Sequence, residues 1–113
     1  MSSAYFTVVK NRRTYYLLKK ESPIDDKKIE DIVGQALLHT PSCFNSQSTR
    51  VLLLLKDEHD KLWELVKIAL KATVSAEKWS TSQLKLNMFQ GAYGTVSHLP
   101  LLPAVILFTQ FQN

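Results

Sequence analysis

Residues 51–55 are five aliphatic side chains in a row, Val-Leu-Leu-Leu-Leu, and no other stretch limits the possible folds as strongly. A run this short reads as a β-strand covered on both faces, not as a buried helix. One such strand cannot stand alone and demands sheet neighbours, which the rest of the sequence offers only weakly.

Helical patterns surround it. Tyr5, Val8 and Val9 fall at i, i+3 and i+4, which predicts a short amphipathic helix within residues 3–13, ending near Asn11. Residues 15–18 read as an extended connection. Asp25 or Asp26 can cap the next helix and oppose its N-terminal dipole. Behind them Ile29, Ile32, Val33, Ala36 and Leu37 keep helical spacing, and Pro41 stops the helix near Thr40. Residues 42–49 form a polar loop. Asp57 opens another helix with Leu62, Val66, Ala69 and Leu70 on its apolar face and Trp63 at the margin. The pattern weakens over residues 73–87, which predicts a frayed helix or an excursion, and Gly91 and Gly94 punctuate the segment behind it. The order is that of an α+β fold, helices around a small incomplete sheet.

Composition narrows the function classes. The chain has 113 residues, 45% hydrophobic and 21% charged, ordinary for one soluble globular domain. Fourteen Lys and Arg against ten Asp and Glu give +4, but the cations are interspersed with acids, so no nucleic-acid partner is expected. A single cysteine, Cys43, excludes an internal disulfide and a Cys-rich zinc site, and it reads as a small packing residue. His39, His59 and His98 lack metal-ligand spacing and read as surface or capping residues, so no metal is expected. Lys67, Lys71 and Lys78 read as a solvated face, and Trp63 and Trp79 as core or dimer contacts. Residues 1–6 lack the basic and apolar regions of a signal peptide, so none is expected. The longest apolar stretch, residues 99–108, contains Pro100 and Pro103 and falls well short of the roughly 20 residues that span a membrane. A cytoplasmic location is the resulting expectation, with the nucleus second.

Two polar clusters could carry chemistry. Arg12, Arg13 and Thr14 can hold a phosphate through charge-assisted hydrogen bonds, although alone they also read as a solvated basic helix end. In the loop, Ser42, Asn45, Ser46 and Gln47 supply hydroxyls and amides that suit a neutral heterocycle, although alone they read as an ordinary loop. Together they suit a ligand with both parts, such as a flavin mononucleotide. No catalytic triad is present.

Asn11-Arg12-Arg13-Thr14, succeeded by Thr40-Pro41-Ser42-x-Phe44-Asn45-Ser46-Gln47 and later by Ala92-Tyr93-Gly94-Thr95-Val96, resembles the nitroreductase family. With Tyr16 and Trp63, the pattern is most similar to the family's short fungal branch of the fatty-acid-repression-mutant type. The resemblance covers about residues 4–96. It implies the N-terminal part of an α+β nitroreductase fold that binds FMN at a homodimer interface. Electrons would pass from NADH or NADPH to nitroaromatic or quinone-type acceptors, with a role in oxidative-stress responses. It further implies that Arg12 faces the flavin phosphate with Arg13 and Thr14 beside it. Pro41, Ser42 and Asn45 would approach the flavin from the partner chain, with Gln47 supporting their loop. The sequence departs from many bacterial members at Tyr16, where they carry a basic residue, and at Ser48-Thr49, where they carry Pro-Trp.

The chain therefore divides into residues 1–96, the nitroreductase-like part, and an atypical apolar tail, residues 97–113. The tail is expected to be a splicing or reading-frame product, with a genuine strand over residues 104–108 as the alternative. The functional alternative is a non-catalytic remnant that acts as a dimerisation or interaction module.

Overall fold

A computed structural model of the protein describes residues 2–100 and 109–111. Among the described residues four α-helices and three strands succeed one another as α1 (Ser2–Asn11), α2 (Asp26–His39), β1 (Thr49–Leu55), α3 (Asp57–Thr73), α4 (Ala76–Gln90), β2 (Gly94–Pro100) and β3 (Thr109–Phe111). The strands form one antiparallel sheet in the order β1-β2-β3. The α+β class stands. The strand expected over residues 104–108 lies outside the described residues.

The aliphatic run finds its neighbour in β2. Leu53 pairs with Val96, Val51 with His98 and Leu54 with Thr95, so the ladder crosses the Val96–Ser97 junction. Side chains alternate across it. Val51, Leu53, Val96 and His98 face grooves beneath α2, while Thr95 faces α3. The expectation that β1 is buried on both faces is not met: no residue of β1 is fully buried and Leu52 is 39% exposed. The helices cover each face only in part, so the strand reads as aliphatic without a complete second layer.

Capping explains where the helices begin and end. The Asp25 carboxylate accepts the Lys28 N–H at 2.7 Å and holds the start of α2. Thr40, the residue before Pro41, turns extended and closes it. Asp57, Glu58 and Asp60 place negative charge in the first turn of α3, where the helix dipole favours it. Residues 73–87 are not a frayed excursion, because α4 is a continuous helix. Its apolar side chains are spread around the axis, which hides the periodicity, yet Leu86 is buried and Phe89 packs on Trp63 with ring centroids 5.4 Å apart.

The core centres on α3, β2 and the end of α4. Trp63, at the margin of the apolar pattern of α3 but read as a core or dimer contact, is its centre at 2% exposure, with Ala92, Leu86 and Ile29 also buried. His59, expected at the surface, is fully buried instead. One turn before Trp63 it faces the sheet, and its ring meets the indole edge-on at 6.3 Å. Lys67 also departs from the expected solvated face, for its side chain is only 17% exposed and its ammonium bonds to Glu64 and Gln90. A polar clamp fixes α2 to the sheet. Asp26 accepts from the Tyr93 hydroxyl at 2.5 Å and from Lys56 Nζ at 2.7 Å. The Lys56 ammonium and the Tyr93 hydroxyl hold the Asp26 carboxyl below its ordinary pKa.

Elsewhere apolar surface stays open. Nothing in α1 is buried, and Tyr5, Val8 and Val9 are exposed although their helix forms as expected. The radius of gyration is 16.5 Å, against about 13 Å for a compact chain of 100 residues.

Candidate functional site

The wider groove lies between α2, the loop after it and the sheet, with a volume of about 700 Å³. Its floor is apolar, from Ile32, Val33, Ala36 and Leu37 of α2 and from Val51 and Val96 of the sheet. Its rim is polar. That division suits a ligand with a flat apolar body and hydrogen-bonding edges, and the volume lies within the roughly 300–1,000 Å³ of small-molecule sites.

The loop that forms the rim is tightly organised. Asn45 N–H donates to Ser42 O at 2.9 Å and Ser46 N–H to Cys43 O at 3.1 Å, closing a single 3-10 turn, Cys43–Asn45. Gln47 N–H donates to Ser42 Oγ at 3.0 Å, which leaves the Ser42 hydroxyl proton to point at a ligand. Arg50 Nη1 reaches back to the carbonyls of Gln47 and Thr49, both at 3.2 Å. Phe44, Asn45 and Gln47 all hold positive φ, of 53°, 53° and 50°. For a bulky residue such as Phe44 that geometry costs about 1–2 kcal/mol. Cys43, expected to pack, is exposed in this turn.

Pro41, Ser42, Asn45 and Gln47 all line the one groove. Arg12, Arg13 and Thr14 do not line it. They lie exposed just after α1, where Arg12 Nη1 donates to Thr14 Oγ1 at 3.1 Å and Arg13 Nη1 to Arg12 O at 2.9 Å. Within a single chain the arginine cluster therefore forms no part of the groove lining.

Two groove residues escape detection in the sequence, Arg50 and His98. Arg50 belongs to the start of β1, three residues after Gln47, and His98 is the cross-strand partner of Val51. The signal for Arg50 is its place at the loop's exit. His98 can be found only once β2 has been paired with β1. Among the described residues no cluster of His, Cys, Asp or Glu could hold a metal, and no helix is long and apolar enough to cross a membrane.

Comparison with known proteins gives one consistent result. The profile of the nitroreductase family matches residues 9–106. The nitroreductase FRM2 of Saccharomyces cerevisiae is 37% identical over 78 residues, covering 66% of this chain and 39% of the relative. The nitroreductase CinD of Lactococcus lactis, solved in complex with 4-nitrophenol, superposes with a TM-score of 0.69 at 33% identity, covering 85% of this chain and 47% of that one. A nitroreductase crystal structure from Saccharomyces cerevisiae superposes with a TM-score of 0.71 at 28% identity, covering 88% of this chain and 54% of that one. The chain therefore spans less than half the length of FRM2 and CinD.

Proposed function

The chain belongs to the nitroreductase family, and from that premise we propose that it contributes half of an FMN site to an NAD(P)H-dependent oxidoreductase acting on nitroaromatic or quinone-type acceptors. The observation that carries this reading is the convergence of Pro41, Ser42, Asn45 and Gln47 on one groove with an apolar floor. Those residues fit an isoalloxazine: the Ser42 hydroxyl and the Asn45 and Gln47 amides match its polar edge, and the α2 side chains match its body. The redox chemistry is supplied by FMN when bound, as a hydride accepted from NADH or NADPH and electrons handed to the acceptor. The protein's part is to hold, orient and shield.

Arg12, Arg13 and Thr14 suit the phosphate end. Their separation from the groove favours a site shared between two copies, each giving its arginine cluster to the loop of the other. The open apolar face of α1, with Tyr5, Val8 and Val9, supports a homodimer of that kind. The same exposed surface and the radius of gyration of 16.5 Å favour one second reading, a non-catalytic interaction module.

Gel filtration of the full chain with added FMN, read by absorbance, separates the two. Flavin co-eluting with a dimer, and NADH oxidation by that peak, is the expected result. Arg12→Ala and Asn45→Ala should each weaken FMN, the former by about ten- to a hundredfold for a lost charge-assisted contact. A flavin-free peak would overturn the redox reading and leave the interaction module.

A further inference from the structure

Arg50 carries the only permanent charge in the lining of the wider groove. His98 is the one other lining residue that can titrate, and no Asp or Glu borders the groove among the described residues. The ion pairs among those residues engage Lys20, Lys27, Lys56, Lys61 and Lys67, and none engages Arg50. Its hydrogen bonds run from Nη1 to the carbonyls of Gln47 and Thr49, both at 3.2 Å, and brace the guanidinium at the loop's exit without neutralising it. Nε and Nη2 make no hydrogen bond among the described residues, so one edge of the planar fork is open to a ligand. FMN leaves this charge unmatched, because its oxidised ring system is neutral and its phosphate is the share of Arg12 and Arg13.

Resting on the FMN reading, we propose that Arg50 is a specificity residue that pairs with a carboxylate on the acceptor and makes the site favour anionic acceptors over uncharged ones of equal shape. A carboxylate and a guanidinium meet through parallel N–H···O bonds, and the open edge formed by Nε and Nη2 is such a donor pair. The other polar groups of the rim, on Ser42, Asn45 and Gln47, are a hydroxyl and amides that serve a neutral ligand equally well. With no acid in the lining, an incoming anion meets no like charge to offset the gain. Arg50 is exposed, so solvent and salt screen the pair and its selectivity is modest.

The test uses the full chain loaded with FMN, titrated with 4-nitrobenzoate and, separately, with 4-nitrobenzamide, which has the same shape and no charge. Binding is read by the flavin absorbance change and by saturation-transfer NMR of the probe. The wild type should prefer the benzoate by roughly 2- to 10-fold, between the effect of an exposed ion pair and that of a charge-assisted hydrogen bond. Sodium chloride at about 0.5 M should shrink that preference. Arg50→Gln should abolish it while holding 4-nitrobenzamide within about twofold, and Arg50→Lys should keep part of it. Flavin bound with equal affinity for the two probes in the wild type, or a preference that survives in Arg50→Gln, overturns the role of Arg50 and leaves the flavin reading standing. Equal weakening of both probes in Arg50→Gln also overturns it, because the side chain would then only brace the loop. Loss of FMN from that variant does the same, for the cation would then belong to the flavin grip. Failure of the wild-type chain to hold FMN removes both readings together.

Discussion

His59 Nδ1 lies 2.7 Å from Thr95 Oγ1, and the same hydroxyl oxygen lies 3.2 Å from Trp63 Nε1. The indole N–H can only donate, so Thr95 accepts from Trp63 and gives its own proton to His59 Nδ1. His59 Nε2–H then donates to the Gln90 carbonyl at 3.1 Å. One buried hydroxyl joins α3 to β2, and through His59 to the end of α4, beneath the sheet whose other face floors the groove.

Thr95→Val tests that hub. The substitution keeps volume but strands the Trp63 N–H and the His59 nitrogen inside the core. Leaving buried polar groups unpaired should lower the unfolding free energy by about 1–3 kcal/mol. Urea unfolding monitored by tryptophan fluorescence reads the change, and an unaltered midpoint would show that the hydroxyl carries no load.

The hub also sets a pH dependence. Burial, which outweighs the help of the Gln90 carbonyl and of Asp60, pushes the His59 imidazole below its ordinary value of 6.5. Below that value the unfolded chain binds a proton that the folded chain refuses, so stability is complete above it and falls as the solution is acidified. Thermal unfolding between pH 7.5 and pH 5 should show a falling Tm. In His59→Gln, which cannot titrate, the slope should flatten in that window. Parallel slopes would place the acid sensitivity elsewhere.

Ser97 stands two residues beyond Thr95, 1% exposed, and its Oγ has no hydrogen-bond partner among the described residues. An orphaned buried hydroxyl is a cost, so Ser97→Ala should raise the unfolding free energy by roughly 1 kcal/mol. Calorimetry of the two proteins decides it; a destabilised variant would mean that the hydroxyl is satisfied in solution, by a buried water for instance.

Much of this architecture is legible in the sequence, for reasons that particular residues make plain. The helix from Asp26 to His39 announces itself because its cap, its apolar spacing and the Pro41 stop are all local signals. The loop chemistry is equally readable, since Pro41, Ser42, Asn45 and Gln47 are neighbours in the chain as well as at the groove. The hidden features depend on pairing over long distances. His59 looks like a polar residue in an acidic helix start until Thr95, 36 positions later, is brought against it. His98 looks like part of a tail until it pairs with Val51. The strain at Phe44 is a backbone property that residue type argues against.

Gly94 and Gly34 give a last contrast, in which one substitution has opposite signs. At Gly94, the first residue of β2, an added Cβ would stand 2.5 Å from Leu55 Cδ2 and 2.8 Å from the Leu54 carbonyl oxygen. The leucine side chain can rotate away. The carbonyl cannot, because Leu54 and its neighbours are held in the ladder opposite Thr95 and Gly94. Gly94→Ala must therefore push β2 away from β1 where Thr95 meets His59, at a cost of about 1–3 kcal/mol for an overpacked site. At Gly34, inside α2, nothing lies within 4 Å of the added carbon. Gly34→Ala should stabilise by about 0.4–1 kcal/mol, because alanine loses less chain entropy on entering a helix. Equilibrium unfolding of both variants should move the midpoint in opposite directions, and a tolerated alanine at 94 would mean that the two strands are not closed against each other at this end.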